Sequence, residues 1–130
     1  MSKRVLVAGL VATAVAAGVA VAIYLLASLF GADLIVRGDD EIGEITAGNV
    51  LVLTVVAMLL GSLVRAVLAR RVSRPARVFT IAAVVVTLLS FSTLTADITW
   101  PDRAWLASMH VAVGAVAVVM LGRPLAGDDR

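Results

Sequence analysis

Four long stretches of this sequence contain no charged side chain. They are Val5–Phe30, Ile45–Val64, Val78–Ala96 and Trp105–Leu121, with 26, 20, 19 and 17 residues. A helix rises about 1.5 Å per residue, so crossing a hydrocarbon layer about 30 Å thick takes about 20 residues, within a range of roughly 17–25. All four stretches lie in that range or just beyond it. Inside lipid the backbone must satisfy its own polar groups, which only helices and closed barrels achieve. The alternating ten-residue segments of barrel strands are absent. The sequence therefore predicts an all-α membrane protein with four transmembrane helices.

Composition leads to the same place. Hydrophobic residues make up 62% and charged residues 15% of the chain, against roughly 45–50% and about 25% in globular proteins. A single domain of 130 residues has too little interior to hide that much apolar surface from water. The first run follows "MSKR", a fair start for a signal peptide, but exceeds the roughly 7–15 apolar residues of a signal core. It is expected to stay as an anchor, leaving residues 1–130 as one transmembrane domain.

The positions of the charges predict the orientation. Lys3 and Arg4 precede the first run. The first connector, "GADLIVRGDDEIGE", has five acids and Arg37 alone as a cation. The second, "RAVLARRVSRPAR", has Arg65, Arg70, Arg71, Arg74 and Arg77 and no acid. Placing the N-terminus, second connector and tail in the cytoplasm puts nine of the eleven cations there, as the excess of Lys and Arg in cytoplasmic loops requires. Both termini are then cytoplasmic. Arginine outnumbers lysine ten to one, the usage of a GC-rich bacterial genome, which makes the expected location a bacterial cytoplasmic membrane. A pI near 9.9 gives no reason to expect nucleic acid, because the cations border apolar runs. Arg70, Arg71, Arg74 and Arg77 serve as the topology determinant, and anionic headgroups are the partner they would attract.

Short connectors make neighbouring helices antiparallel, giving an up-down-up-down bundle. Pro75 and Pro101 fall in connectors, where they break nothing. Trp100 and Trp105 bracket the outer interface, where amphipathic rings prefer to lie. Ala8, Ala12, Ala16 and Ala20 form one stripe on the first helix, and Ala14, Gly18 and Ala22 a second. Ala57 and Gly61 are the equivalents on the second helix. Small residues at four-residue spacing let backbones approach closely in lipid. Four helices make a thin bundle, so a homo-oligomer or a membrane partner is also expected.

Polar groups gather toward one side of the membrane. His110, the chain's single histidine, lies five residues below Trp105, roughly 7–8 Å into the outer half. Ser90, Thr93 and Asp97 share a face of the third helix. Asn49 and Tyr24 sit near the outer ends of helices two and one. This pattern predicts an outward-opening pocket with His110 at its floor, since an ionisable residue inside a membrane defaults to a functional hypothesis. Histidine can exchange a proton near neutral pH. The alternative is that neutral His110 bonds Ser90, Thr93 or Asn49 and only ties helices together.

Other chemistries find less support. There is no cysteine, so disulfides, thiolate metal sites and thiol catalysis are excluded. No phosphate-binding or dinucleotide glycine pattern occurs. A His/Met metal or haem site would need Met58, Met109 or Met120 to converge on His110, and their spacing does not favour it. No catalytic residue, metal or cofactor is expected.

The segments "FGADLIVR", "VFTIAAVVVTLLSFSTL" and "SMHVAVGAVAV" resemble a family of small actinobacterial four-helix membrane proteins described as a domain of unknown function. The likeness covers nearly the whole chain. It implies an integral membrane protein and brings no activity with it. Small multidrug exporters also have four helices, but they carry a glutamate in the first helix, and Val5–Phe30 has none. "TLLSFSTLT" is similar to the third helix of fluoride channels, but the glycine pattern of their first helix is missing. The function expected is a non-enzymatic accessory or small-solute-binding bundle. The second reading is a small transporter or channel subunit with His110 and Asp97 along its path, and a lipid-modifying enzyme comes last.

Overall fold

The structure, a computed structural model, describes residues 3–37, 42–92 and 98–123. It contains four helices, α1 Lys3–Leu29, α2 Ala47–Arg71, α3 Pro75–Ser90 and α4 Trp100–Leu121. Three of them, α1, α2 and α4, are long and apolar enough to cross a membrane, consistent with a membrane protein.

Between α1 and α2 lies a hairpin that the sequence reading treated as a plain connector. Strands β1 (Ile35–Arg37) and β2 (Ile42–Glu44) pair antiparallel, with Ile35 opposite Glu44 and Arg37 opposite Ile42. The signal was present, since "LIVR" and "EIGEI" flank the turn-forming residues "GDD".

The helix ends differ from expectation for identifiable reasons. The first helix stops where Gly31 adopts φ 77°. Gly31 N–H donates to the Ser28 carbonyl and Ala32 N–H to that of Ala27, the glycine-dependent double closure that ends many helices. The second helix does not end at Val64 but runs seven residues further, to Arg71. Arg70 and Arg71 occupy its last turn, where cations complement the negative end of the helix dipole. Most of the expected arginine-rich connector is thus helical. Thr46 caps the start of α2, its Oγ1 accepting from Asn49 N–H at 3.2 Å.

The third helix begins at Pro75 instead of Val78. Proline is pre-set for a first helical position and lacks the N–H that would go unused there. Phe91 and Ser92 then tighten into a 3₁₀ turn, and the remainder of the expected span, 93–96, lies outside the described residues. At 16 residues α3 is about 24 Å long, shorter than its three neighbours. The fourth helix starts at Trp100 instead of Trp105, with Pro101 in its first turn and Thr99 as its cap residue.

Among the described residues α1 packs on α2 and α4, and α3 packs on the same two helices. Two clusters form the interior. One joins Ala12 and Ala16 of α1 to Met58, Phe79 and Leu121. The other joins Ala27 and Leu34 to Leu106 and Met109. Ala12, Ala16 and Ala20 have no exposed surface and Ala8 is half-buried, so the first alanine stripe is the packed face of α1 from Ala12 onward. Ala14, Gly18 and Ala22 of the second stripe are exposed, as is Ala57, while Gly61 is half-buried against Phe79. Large aliphatics such as Leu53, Val86 and Leu89 point outward. Large apolar side chains facing outward are what is expected where the solvent is lipid, since their burial in acyl chains then costs nothing.

Candidate functional site

His110 sits in the middle of α4, half-buried. Its Nδ1 lies 2.7 Å from the Leu106 carbonyl one turn earlier, which fixes Nδ1 as the protonated nitrogen because a carbonyl can only accept. Phe91, at the end of α3, tilts against the imidazole at a centroid distance of 6.3 Å. The ring is therefore anchored to its own helix and flanked by an aromatic neighbour.

The other expected pocket residues separate into four groups. Tyr24 is half-buried and packs against the cluster of Ala27, Leu34, Leu106 and Met109. Ser90 is half-buried on α3 and its Oγ donates to the Thr87 carbonyl at 2.6 Å. Asn49 is exposed in the first turn of α2. Thr93 and Asp97 lie outside the described residues.

Several other hydroxyls of the bundle bond their own helix as Ser90 does. Thr13 donates to Gly9 O, Ser62 to Met58 O, Thr80 to Ala76 O and Thr87 to Ala83 O, at 2.8–2.9 Å. Ser28 and Ser108 do the same with Tyr24 and Trp105. Each hydroxyl hydrogen is satisfied within its own helix, so these groups need no water. Among the described residues no group of three or more His, Asp or Glu side chains is placed to hold a metal ion.

Of the expected topology arginines, Arg70 and Arg71 are exposed on the last turn of α2, Arg74 precedes α3 and Arg77 is exposed in its first turn. The model of the family of unknown function DUF6069 matches residues 1–127. The chain belongs to this family. No curated protein and no solved structure matches it.

Two buried ionisable residues of this DUF6069 member escaped the sequence reading. Arg65 has no exposed surface. Its Nε donates to the Leu121 carbonyl at 2.8 Å and its Nη2 to the Arg123 carbonyl at 3.5 Å. The guanidinium thus covers the carbonyl end of α4, where terminal acceptors lack partners within their own helix. Asp102, 4% exposed, accepts from the Thr99 hydroxyl at 2.7 Å and from Leu34 N–H at 3.4 Å. A carboxylate in the first turn of a helix also faces the positive end of the dipole. The signal for Asp102 was the Thr-x-x-Asp spacing of "TWPD"; nothing local marks Arg65.

Proposed function

We propose that this chain is a multi-pass protein of a bacterial cytoplasmic membrane and works there as a non-enzymatic accessory bundle, not as a conduit. It crosses four times in up-down-up-down order with both termini cytoplasmic. The charge asymmetry supports that orientation. The order is supported by pairs of contacts, since a Cβ on Gly9 would meet Ser62 of α2 and one on Gly122 would meet Thr80 of α3. Each joins the start of one helix to the end of another.

One observation carries the functional reading. Thr13, Ser62, Thr80, Thr87, Ser90 and His110 each bond a carbonyl of their own helix, whereas a permeation path needs polar groups turned toward one lumen. His110 enters this reading as a residue that secures the α3–α4 contact beside Phe91.

Proton and potassium flux in proteoliposomes tests it. Liposomes carrying the protein should leak no faster than empty ones, and a flux abolished by His110→Ala would overturn the reading in favour of transport along His110 and Asp97. Orientation is tested in the natural cysteine-free background. Ser73→Cys should react with an impermeant maleimide only after the membrane is opened, and Gly43→Cys should react in intact cells.

A further inference from the structure

Between the first turns of α1 and the last turns of α4 lies a crevice of about 520 Å³, within the roughly 300–1,000 Å³ of small-ligand clefts. Lys3, Arg4 and Arg123 form its rim, and Val7, Val11, Val119 and Met120 are among its walls. Among the described residues that line it none is acidic. All three cations are exposed, so each can turn its head toward a bound anion. The site thus combines a charged end with an apolar trough that runs along two helices.

We infer that this crevice holds an anionic phospholipid, with its phosphate among Lys3, Arg4 and Arg123 and an acyl chain in the trough between α1 and α4. Charge complementarity selects the headgroup, because a zwitterionic lipid brings its own cation to a rim that already has three. The apolar walls select a lipid over a free phosphate. Arg65 is the positioning residue of this site. Buried behind α4, it grips the carbonyls of Leu121 and Arg123, which fixes the end of α4 where Arg123 meets the rim. The site is separate from the arginines of the second connector, since Arg70, Arg71, Arg74 and Arg77 do not line it. The inference rests on the membrane reading of the bundle but not on which side the crevice faces.

Native mass spectrometry of the detergent-purified full chain tests it, with phosphatidylglycerol and phosphatidylethanolamine as probes. The wild type should retain phosphatidylglycerol through delipidation and lose phosphatidylethanolamine. The variant Lys3→Gln/Arg4→Gln/Arg123→Gln should bind phosphatidylglycerol on the order of a hundredfold more weakly. Arg70→Gln/Arg71→Gln/Arg74→Gln, which removes as many charges outside the crevice, should weaken binding distinctly less, because these arginines meet headgroups at the surface and do not line the crevice. Ala8→Trp, which fills the trough and leaves every charge in place, should also lose the lipid. Equal retention of the two lipids, equal losses in both charge variants, or full binding by Ala8→Trp would each overturn the assignment. Membrane fractionation of the same variants keeps the two readings apart. A chain found in the soluble fraction defeats the membrane reading, whereas a membrane-bound chain without lipid selectivity defeats only the site.

Discussion

Arg65 of α2 donates from Nε to the backbone carbonyl of Leu121, 56 residues later in the chain and 2.8 Å away. A cation fully enclosed in an apolar bundle is tolerated better when hydrogens meet acceptors and its charge meets a dipole, and the carbonyl end of α4 supplies acceptors for Nε and Nη2 and the negative end of a helix dipole. Arg65→Ala should therefore lower stability by about 2–4 kcal/mol, combining a lost charge-assisted bond with a cavity. Arg65→Lys should recover only part, because an ammonium cannot span two carbonyls as a planar fork does. Reversible unfolding in mixed micelles measures this, and a wild-type stability for Arg65→Ala would refute the capping role.

The close approach of α3 and α4 predicts a change of sign. A Cβ on Gly114 would come within 2.5 Å of Thr87 Oγ1 and 3.0 Å of Thr87 Cγ2. Threonine is stiff at χ1 and cannot swing aside freely. Gly114→Ala alone should then destabilise by about 1–3 kcal/mol. In a Thr87→Ala background the clash is gone, and the same change should stabilise by about 0.5–1 kcal/mol through helix propensity. A double-mutant cycle on thermal unfolding reads the coupling. Additive effects would show that the helices do not meet at this point.

What the sequence revealed divides along local and non-local lines. Uncharged apolar runs of membrane-spanning length announced the helices, because only helices and closed barrels satisfy a backbone in lipid and the alternation of barrel strands was missing. The Ala12–Ala16–Ala20 stripe was legible as a packing face for the same kind of reason. Helix α2 was cut short at Val64 because an arginine in a run reads as an exit from the membrane, whereas Arg65 is buried through partners far away in sequence. His110 was assigned neighbours on other helices by depth, yet its shortest bond is to Leu106 O, four residues back. Periodicity gives the depth of a side chain and the face it occupies. It does not say whether a polar group turns outward from its helix or back onto it. Asp97 and Thr93 belong to the same expectation and lie outside the described residues.

Leu34 is buried with φ 47°, a left-handed conformation that costs a non-glycine residue roughly 1–2 kcal/mol. The surroundings hold it there. Its N–H meets Asp102 Oδ1 and its carbonyl accepts from Ile45 N–H at 3.0 Å, which ties the hairpin's approach to the first turn of α4. Asp102→Ala removes the acceptor shared by Leu34 and Thr99 and should cost about 1–3 kcal/mol. Asp102→Asn keeps a carbonyl oxygen and should cost less. Amide exchange at Leu34 and Ile45 should accelerate in Asp102→Ala while exchange in the middle of α1 stays slow. Unchanged exchange at Leu34 would mean that the carboxylate does not hold it.

The imidazole of His110 gives the sharpest spectroscopic test. With Nδ1 committed to the Leu106 carbonyl, the neutral ring must carry its proton on Nδ1 and present Nε2 as an acceptor. Long-range proton–nitrogen spectra of nitrogen-15-labelled protein in micelles should therefore show the Nδ1–H form, the minority tautomer of free histidine. His110→Ala should lower stability by about 0.5–1.5 kcal/mol, the net worth of an intramolecular hydrogen bond. His110→Phe removes the bond but keeps the ring contact with Phe91 and should fall between wild type and His110→Ala. If the Nε2–H form dominates instead, the ring is not tied to Leu106, and an interhelical partner such as Ser90 regains the place that the sequence first gave it.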